Sequence, residues 1–293
     1  MNKKRATLTG LLAILLWSTM VGLIRAVSEG LGPVGGAAMI YTLSGILLIL
    51  TVGFPDIRRF PRSYLLVGSV LFVSYELCLA LSLGFAATRQ QAIEVGMVNY
   101  LWPSLTILFA ILFNGQKATL WVIPGLILAV MGVSWVLGGE QGLNLHDITQ
   151  NILSSPLSYS LAFAGAFIWA AYCTVTSKYA KGSNGITLFI LLTAATLWIK
   201  FALTDQPAMH FTLPVVIKLA MTAVALGFGY AAWNTGILHG HVAVLAAASY
   251  FTPVLSSALA AAVLSAPLSF SFWQGAFMVC GGSLLCWWAT RRQ

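Results

Sequence analysis

Two proline-centred segments of one pattern, 150 residues apart, constrain the fold of this chain more than any other feature. Residues 99–103 read Asn-Tyr-Leu-Trp-Pro, and residues 249–253 read Ser-Tyr-Phe-Thr-Pro. Each proline lies near the middle of an apolar run, where it removes a backbone donor and frees the carbonyl four residues earlier. Paired interruptions in two halves of a chain point to a transport site near the bilayer midplane.

The composition predicts that the solvent of most of the chain is a lipid bilayer. The 293 residues are 59% hydrophobic and only 8% charged, whereas soluble domains carry about 25% charged residues. The net charge of +8 comes from residues at helix ends and in short loops. We read these charges as topology signals and expect no nucleic-acid partner.

The cysteines and the N-terminus suggest neither a cofactor nor a cleaved leader. All four cysteines fall in apolar runs, without a CxxC or Cys/His cluster, so we expect free thiols, no metal site and no cofactor. The apolar stretch after Lys3, Lys4 and Arg5 continues to Val27, which is too long for a signal peptide and lacks a small-residue cleavage site.

The chain contains ten apolar segments of about 18–23 residues, the length that a helix needs to cross a membrane. We therefore predict an all-α integral membrane protein with ten transmembrane helices. The predicted spans cover approximately residues 7–28, 35–53, 64–86, 92–113, 119–138, 157–178, 186–203, 215–236, 242–263 and 269–290.

The distribution of basic residues predicts the orientation of these spans. Eleven lie in alternate loops or at the termini, whereas the opposite loops carry only Arg89. By the positive-inside rule, both termini are expected to be cytoplasmic. The eleven are Lys3, Lys4, Arg5, Arg58, Arg59, Arg62, Lys117, Lys178, Lys181, Arg291 and Arg292.

The two halves of the chain are predicted to be inverted repeats. Residues 1–138 form the first five-helix repeat, residues 139–156 an extracytoplasmic connector, and residues 157–293 the second repeat. An odd number of spans in each half means that the second half enters the membrane from the opposite side.

Equivalent positions in four of the five helices support this duplication. The offset of 150 residues relates Gly125 to Gly275 and Gly132 to Gly282, besides the two prolines. An offset of 152 residues relates Trp17 to Trp169 and Gly84 to Gly236.

Several tryptophans and tyrosines fall near span centres instead of at the interfaces where these residues usually collect. Their N–H and O–H groups need partners that lipid cannot supply, so they are expected to face the protein interior. Packing between helices and the lining of a cavity both remain open for each residue. With the polar residues beside them, the predicted cavity lining is Trp17, Tyr75, Glu76, Asn99, Tyr100, Trp102, Trp169 and Tyr250, shaped by Pro103 and Pro253.

Polar residues at membrane depth are candidates for function. Glu76 could bind a ligand amine or carry a proton, or it could be a protonated structural carboxyl. Asn99 and Ser249 could satisfy local backbone groups or meet a ligand carboxylate. Glu94, at the start of the fourth span, is expected to complement the N-terminus of its helix.

Several segments of the chain resemble a known family. The opening Leu-Trp-Ser-Thr of residues 16–19, the two proline-centred segments and the ten-span inverted repeat resemble the EamA branch of the drug/metabolite transporter superfamily over the whole chain. Residues 17–22, 93–103 and 249–255 resemble, more closely, the bacterial aromatic amino acid exporters of that branch. The Gly-Glu pair that often ends the fourth helix of such repeats is absent, since Gly115-Gln116 and Ser265-Ala266 stand there.

The resemblance implies a secondary transporter of the bacterial inner membrane that exports Phe, Tyr and Trp by alternating access, and we expect a monomer. Export of amphipathic cations or other drugs is an alternative that uses the same cavity. An intramembrane lipid-modifying enzyme would need His/Asp or Ser/His clusters that the sequence lacks. A passive channel is disfavoured by the interrupted helices. No Walker A run is present, so direct use of ATP is not expected.

Overall fold

The computed structural model describes residues 2–291, except for the side chains of residues 238, 242 and 243. Arg292, one of the predicted cytoplasmic charges, lies outside the described residues. Within the described range the chain is helical and contains no β-strand. Its helices are α1 (Lys3–Ser18), α2 (Met20–Leu31), α3 (Pro33–Thr51), α4 (Ser69–Phe85), α5 (Arg89–Asn99), α6 (Trp102–Asn114), α7 (Val122–Leu137), α8 (Leu145–Ser154), α9 (Pro156–Tyr179), α10 (Ile186–Leu203), α11 (Leu213–His239), α12 (Val242–Ser249), α13 (Thr252–Leu264) and α14 (Phe270–Ala289).

The helices make this a multi-pass membrane protein. Among the described residues, seven helical segments are long and apolar enough to cross a bilayer, and α7 and α13 are apolar but shorter. A π-helical turn, Tyr64–Gly68, precedes α4, and together they cover Tyr64–Phe85 of the third predicted span, residues 64–86. The connector contains α8, which has no buried residue.

Both proline-centred spans are interrupted one turn before the proline. The chain leaves α5 at Asn99 and restarts as α6 at Trp102, so that Pro103 is the second residue of the new helix. Pro253 holds the same position in α13. A proline at this position lacks an N–H that a first helical turn leaves unpaired in any case, so the restart accommodates it.

The first predicted span is also interrupted, which the sequence analysis did not anticipate. The break falls at Thr19, between α1 and α2. The hydroxyl of Ser18 donates to the carbonyl of Ile14 (2.7 Å), and the hydroxyl of Thr19 donates to the carbonyl of Leu16 (2.7 Å). Such bonds compete with the helical ladder and bend helices. The equivalent residues of the second half are Ala170 and Ala171, and α9 continues unbroken through them.

The helices assemble into two compact units that differ from the two sequence repeats. Unit 1 comprises residues 1–58 and 184–265, and unit 2 comprises residues 59–183 and 266–293. Each unit therefore combines helices from both halves of the chain. In unit 1, α1 packs against α11 and α3 against α10, while in unit 2, α4 packs against α9 and α7 against α14.

The α7–α14 contact in unit 2 depends on four glycines. A methyl group built on Gly132 would lie 2.7 Å from the carbonyl oxygen of Gly275, and one on Gly282 would lie 2.6 Å from the carbonyl oxygen of Gly125. The repeat offset exchanges Gly125 with Gly275 and Gly132 with Gly282. The offset therefore maps this antiparallel contact onto itself, as a two-fold axis through the interface would.

Replacing Gly132 by alanine should destabilise unit 2 by about 1–3 kcal/mol, because the added methyl group meets backbone atoms that have no room to yield. The apparent Tm of the purified protein in detergent should fall by about 2–4 °C for each kcal/mol.

Gly281→Ala provides a matched control on α14, because its methyl group would meet only Leu128 at 3.7 Å. That variant should be neutral or slightly stabilising, since alanine favours a helix more than glycine does. Equal Tm values for Gly132→Ala and Gly281→Ala would contradict the close backbone contact.

Candidate functional site

Five aromatic side chains form one connected group in unit 2, which we call the Trp169 cluster. Its members are Phe72 and Tyr75 of α4, Trp102 of α6, and Trp169 and Tyr172 of α9. The ring centroids of Trp169 lie 4.4 Å from those of Tyr75, 6.2 Å from Trp102 and 5.1 Å from Tyr172. Three of these residues, Tyr75, Trp102 and Trp169, belong to the predicted cavity lining.

The helical repeat and the break before Pro103 explain how these rings meet. Phe72 and Tyr75 are three residues apart on α4, and Trp169 and Tyr172 are three apart on α9, so each pair occupies one helix face. Trp102 begins α6 and makes an edge-to-face contact with Trp169 at an interplanar angle of 78°. Trp102 and Trp169 remain partly accessible, whereas Tyr75 and Tyr172 are buried.

Asn99 adds an unused hydrogen-bond acceptor next to the cluster. It is the last residue of α5 and is 3% exposed. Its Nδ2 group donates to the hydroxyl of Tyr75 at 3.5 Å, and its Oδ1 atom has no hydrogen-bond partner. A methyl group built on Gly165 of α9 would lie 3.3 Å from this oxygen. A buried acceptor without a donor costs about 1–3 kcal/mol, which a ligand N–H could recover.

Ser249 has the first of the two predicted roles, whereas the unpaired atom of Asn99 favours a ligand group other than the predicted carboxylate. Ser249 donates its hydroxyl to the carbonyl of Ala246 at 2.8 Å and so satisfies a local backbone group. The oxygen of Asn99 can only accept, so it suits a ligand ammonium group and not a carboxylate.

Glu76 and Tyr100 complete the predicted residues of unit 2. Glu76 is 1% exposed in the middle of α4, next to Tyr75 in sequence. A carboxyl group at this depth must be paired, hydrogen-bonded or neutral. Tyr100 is 8% exposed and lies in the break, where its N–H donates to the carbonyl of Met97 at 3.1 Å.

Unit 1 contains the two remaining predicted residues and an aromatic group of its own. The ring centroid of Trp17 lies 5.2 Å from that of Tyr230 and 5.3 Å from that of Trp233, both on α11. A methyl group built on Gly229 would lie 2.6 Å from Nε1 of Trp17, so the indole packs directly on the α11 backbone. Tyr250 is half-buried in the break between α12 and α13.

The two units present related arrangements. Trp17 and Trp169 are equivalent in the repeat, and each packs on aromatic side chains of the third span from the opposite half of the chain. Of the eight predicted lining residues, six lie in unit 2 and two, Trp17 and Tyr250, lie in unit 1.

Sequence reasoning missed Phe72, Tyr230 and Trp233. Trp233 is near the end of the eighth predicted span, 215–236, but α11 continues to His239, so that Trp233 lies further inside the helix. The spacing of three residues between Phe72 and Tyr75, and between Tyr230 and Trp233, was the signal that could have found them.

The prediction for Glu94 was wrong. Helix α5 begins at Arg89 and is capped by Thr88, whose Oγ1 accepts the N–H of Gln91 at 3.0 Å. Glu94 lies beyond the first turn, buried at 8% exposure. Its Oε2 atom accepts bonds from Nδ2 of Asn151 (2.8 Å) and from the hydroxyl of Tyr159 (3.1 Å), so it ties α5 to α8 and α9.

Comparison with known proteins assigns the chain to a family. The profile of the EamA-like transporter family matches the chain twice, over residues 4–138 and 156–288. The chain is 73% identical over 293 residues to the Salmonella typhimurium protein named aromatic amino acid exporter YddG. It is also 73% identical over 292 residues to the protein of the same name from Escherichia coli K12. In both cases the match covers 100% of each chain.

A relative and a solved structure of lower sequence identity also match nearly the whole chain. The protein of the same name from Ancylobacter novellus is 27% identical over 266 residues, which are 88% of each chain. A crystal structure of a protein with 25% sequence identity superposes with a TM-score of 0.66 and covers 99% of both chains. The resemblance noted from the sequence is confirmed, and so is the interpretation as a transporter and not an enzyme. The chain belongs to the EamA-like transporter family.

Proposed function

We propose that this protein exports the aromatic amino acids Phe, Tyr and Trp across the bacterial inner membrane by alternating access. The observation that carries the proposal is the Trp169 cluster next to the unpaired Oδ1 atom of Asn99. The two relatives that share 73% of its residues are named aromatic amino acid exporters, and identity over the full chain supports the same substrate class.

The chemistry of the site fits both ends of such a substrate. Partly accessible indole rings offer faces and edges for an aromatic side chain, with which offset or edge-to-face contacts are favourable. The Oδ1 atom of Asn99 would accept an N–H of the substrate ammonium group, and the carboxyl of Glu76, which follows Tyr75 on α4, would be the proposed negative charge. The proposed lining in unit 2 comprises Tyr75, Glu76, Asn99, Tyr100, Trp102 and Trp169, and the roles of Trp17 and Tyr250 in unit 1 stay predictions.

The proposed topology has ten spans in two inverted repeats, residues 1–138 and 157–293, joined by an extracytoplasmic connector. The family profile matches two ranges close to these repeats. The self-mapping contact of α7 with α14 supports an axis that relates them. So do the left-handed caps at Gly115 (φ 69°) and Ser265 (φ 51°), which end α6 and α13 at an offset of 150 residues.

The two breaks before Pro103 and Pro253 would be the points where the structure bends during transport. Each break replaces helical bonds by tighter ones, such as Leu101 N–H to Val98 carbonyl (3.2 Å) and Phe251 N–H to Ala248 carbonyl (3.1 Å). Interrupted helices at corresponding positions of two halves are a feature of secondary transporters. Pro103 and Pro253 would keep either span from closing into a continuous helix.

The orientation follows from the charges of the loops, which favour cytoplasmic N- and C-termini. Transport would run on a gradient of substrate or protons, because the sequence lacks a nucleotide-binding run. No cofactor is needed for this mechanism, and the transport unit would be one chain in the lipid bilayer.

Export of amphipathic cations is the second candidate, because indole faces and a carboxyl group at membrane depth also suit a cation. Competition separates the two. Unlabelled phenylalanine should displace labelled phenylalanine at lower concentration than a cationic dye does.

The direct test is counterflow in liposomes that contain only the purified protein. Liposomes preloaded with unlabelled phenylalanine should accumulate labelled phenylalanine transiently, and the rate should saturate with concentration. Preloading with alanine should not support accumulation. Absence of counterflow with phenylalanine, tyrosine and tryptophan, from protein that is folded by size-exclusion chromatography, would refute the proposal.

Trp102→Ala should slow export of labelled phenylalanine at least several-fold, because it removes an edge contact to Trp169 and a wall of the proposed cavity. Trp273→Ala is the control, since that indole contacts Phe272 of the same helix at 6.0 Å and lies outside the cluster. Export is compared at matched protein level in membranes. Equal losses in the two variants would mean that the rings serve packing only.

Asn99→Leu removes an acceptor for the substrate ammonium group, and Glu76→Gln removes a negative charge that could pair with it, so both should weaken transport. A hydrogen bond to a charged group contributes about 1.5–3 kcal/mol, which predicts a rise in KM of roughly ten-fold or more. Phenylpropionate, which lacks the amine, should compete poorly with phenylalanine in the unmodified protein. Its competition should be unaffected by either substitution. Unchanged phenylalanine export in both variants would exclude these acceptors.

A further inference from the structure

A groove with a volume of about 370 Å³ lies on unit 2 between α6 and α9, and its lining contains no residue of the Trp169 cluster. Its walls are mostly apolar, and three polar side chains stand at the C-terminal ends of the two helices. The groove is lined by Phe109, Phe113, Asn114, Ala171, Thr174, Val175, Lys178 and Tyr179.

The groove exists because small and large residues face each other across the helix pair. Ala171 contributes little volume on α9, while Phe109 and Phe113 stand one turn apart on α6, with ring centroids 5.3 Å apart. The Nδ2 group of Asn114 donates to the carbonyl of Thr174 at 3.3 Å and fixes the end of α6 against α9. Because this hydrogen bond holds the C-terminal end of α6 against α9, the groove between the two helices stays open.

An apolar stripe continues the groove along α9 toward its N-terminus. Phe109 contacts Phe167 at 6.2 Å, and Phe167 contacts Phe163 at 5.0 Å. Phe163 is 51% exposed and Phe167 is 37% exposed. From Phe163 to Lys178 the helix rises about 22 Å, which exceeds half of the roughly 30 Å hydrocarbon core.

One positive charge stands at the other end of the stripe. Lys178 lies in the last turn of α9, is exposed, and its Nζ atom sits 5.6 Å from the ring centroid of Tyr179. Tyrosine and lysine beside each other at a helix end are typical of the membrane–water interface. A long apolar groove that ends at a single cation matches a ligand with a hydrocarbon chain and an anionic head.

We infer that this groove binds an anionic phospholipid of the cytoplasmic leaflet, with the phosphate at Lys178 and one acyl chain along Ala171, Phe109 and Phe167. The cytoplasmic leaflet follows from the proposed topology, which places the C-terminal ends of α6 and α9 on that side. Basic pockets between transmembrane helices on this side commonly hold anionic head groups. The inference adds a lipid site to the proposed transport site and does not depend on the identity of the transported substrate.

Retention of lipid tests the inference. The protein is extracted in mild detergent, and phosphatidylglycerol or phosphatidylcholine is added back. Bound lipid is then counted by native mass spectrometry. The unmodified protein should retain phosphatidylglycerol in preference to phosphatidylcholine. Lys178→Gln should lower phosphatidylglycerol retention about five-fold, as expected for one lysine near an anionic membrane surface.

Two matched variants sharpen the test. Lys181→Gln removes an exposed charge three residues further on, outside the groove, and should leave retention unchanged. Ala171→Phe fills the groove and should lower retention of phosphatidylglycerol while Lys178 is intact. Equal retention by Lys178→Gln and Lys181→Gln, or full retention by Ala171→Phe, would overturn the inference.

The same variants separate this site from the transport site. Loss of phenylalanine counterflow in Ala171→Phe with unchanged lipid retention would identify the groove as a substrate path and refute the lipid assignment. If the unmodified protein shows no counterflow, the proposed function fails, while the lipid measurement still decides the lipid assignment.

Discussion

The hydrocarbon core of a bilayer supplies no hydrogen bonds, and this constraint shapes the whole protein. Every interruption of a span must satisfy its backbone within the chain. At Thr19 the side-chain hydroxyl donates to a backbone carbonyl. At the breaks Tyr100–Leu101 and Tyr250–Phe251, the N–H groups of Leu101 and Phe251 donate to the carbonyl three residues earlier instead of four. The aromatic residues and Asn99 gather beside such a break, because only the protein interior accepts irregular backbone and polar side chains at this depth. The candidate site and the helix breaks therefore have one physical cause.

Much of this could be predicted because proline, glycine and charge act locally. The prolines predict breaks, since no context restores their missing N–H. The offsets of Gly125 and Gly132 predict equivalent close contacts. The break at Thr19 escaped prediction because a Ser-Thr pair bends a helix only when both hydroxyls turn back to the backbone. The role of Glu94 depended on Asn151 and Tyr159, which are 57 and 65 residues away, and no local pattern reveals such partners.

The compact units and the sequence repeats divide the chain differently, and this has a cost in folding. Unit 1 cannot form until residues 184–265 have been made, although α1 to α3 lie at the N-terminus. The contacts that complete it join segments far apart in sequence, which slows folding. Until then α1 and α3 lack the helices against which they pack, α11 and α10. Insertion into the membrane therefore precedes assembly of the units.

The break between α1 and α2 bears on how alike the two states of the proposed transport cycle are. In a protein built from inverted repeats, exchanging the conformations of the two halves converts a state open to one side into a state open to the other. Identical halves would make these states equal in free energy. Here the first span is interrupted at Thr19, between α1 and α2, while α9 continues unbroken through Ala170 and Ala171. In the proposed inverted-repeat mechanism the exchange would not return the same shape, so the two sides of the membrane would meet sites of different affinity.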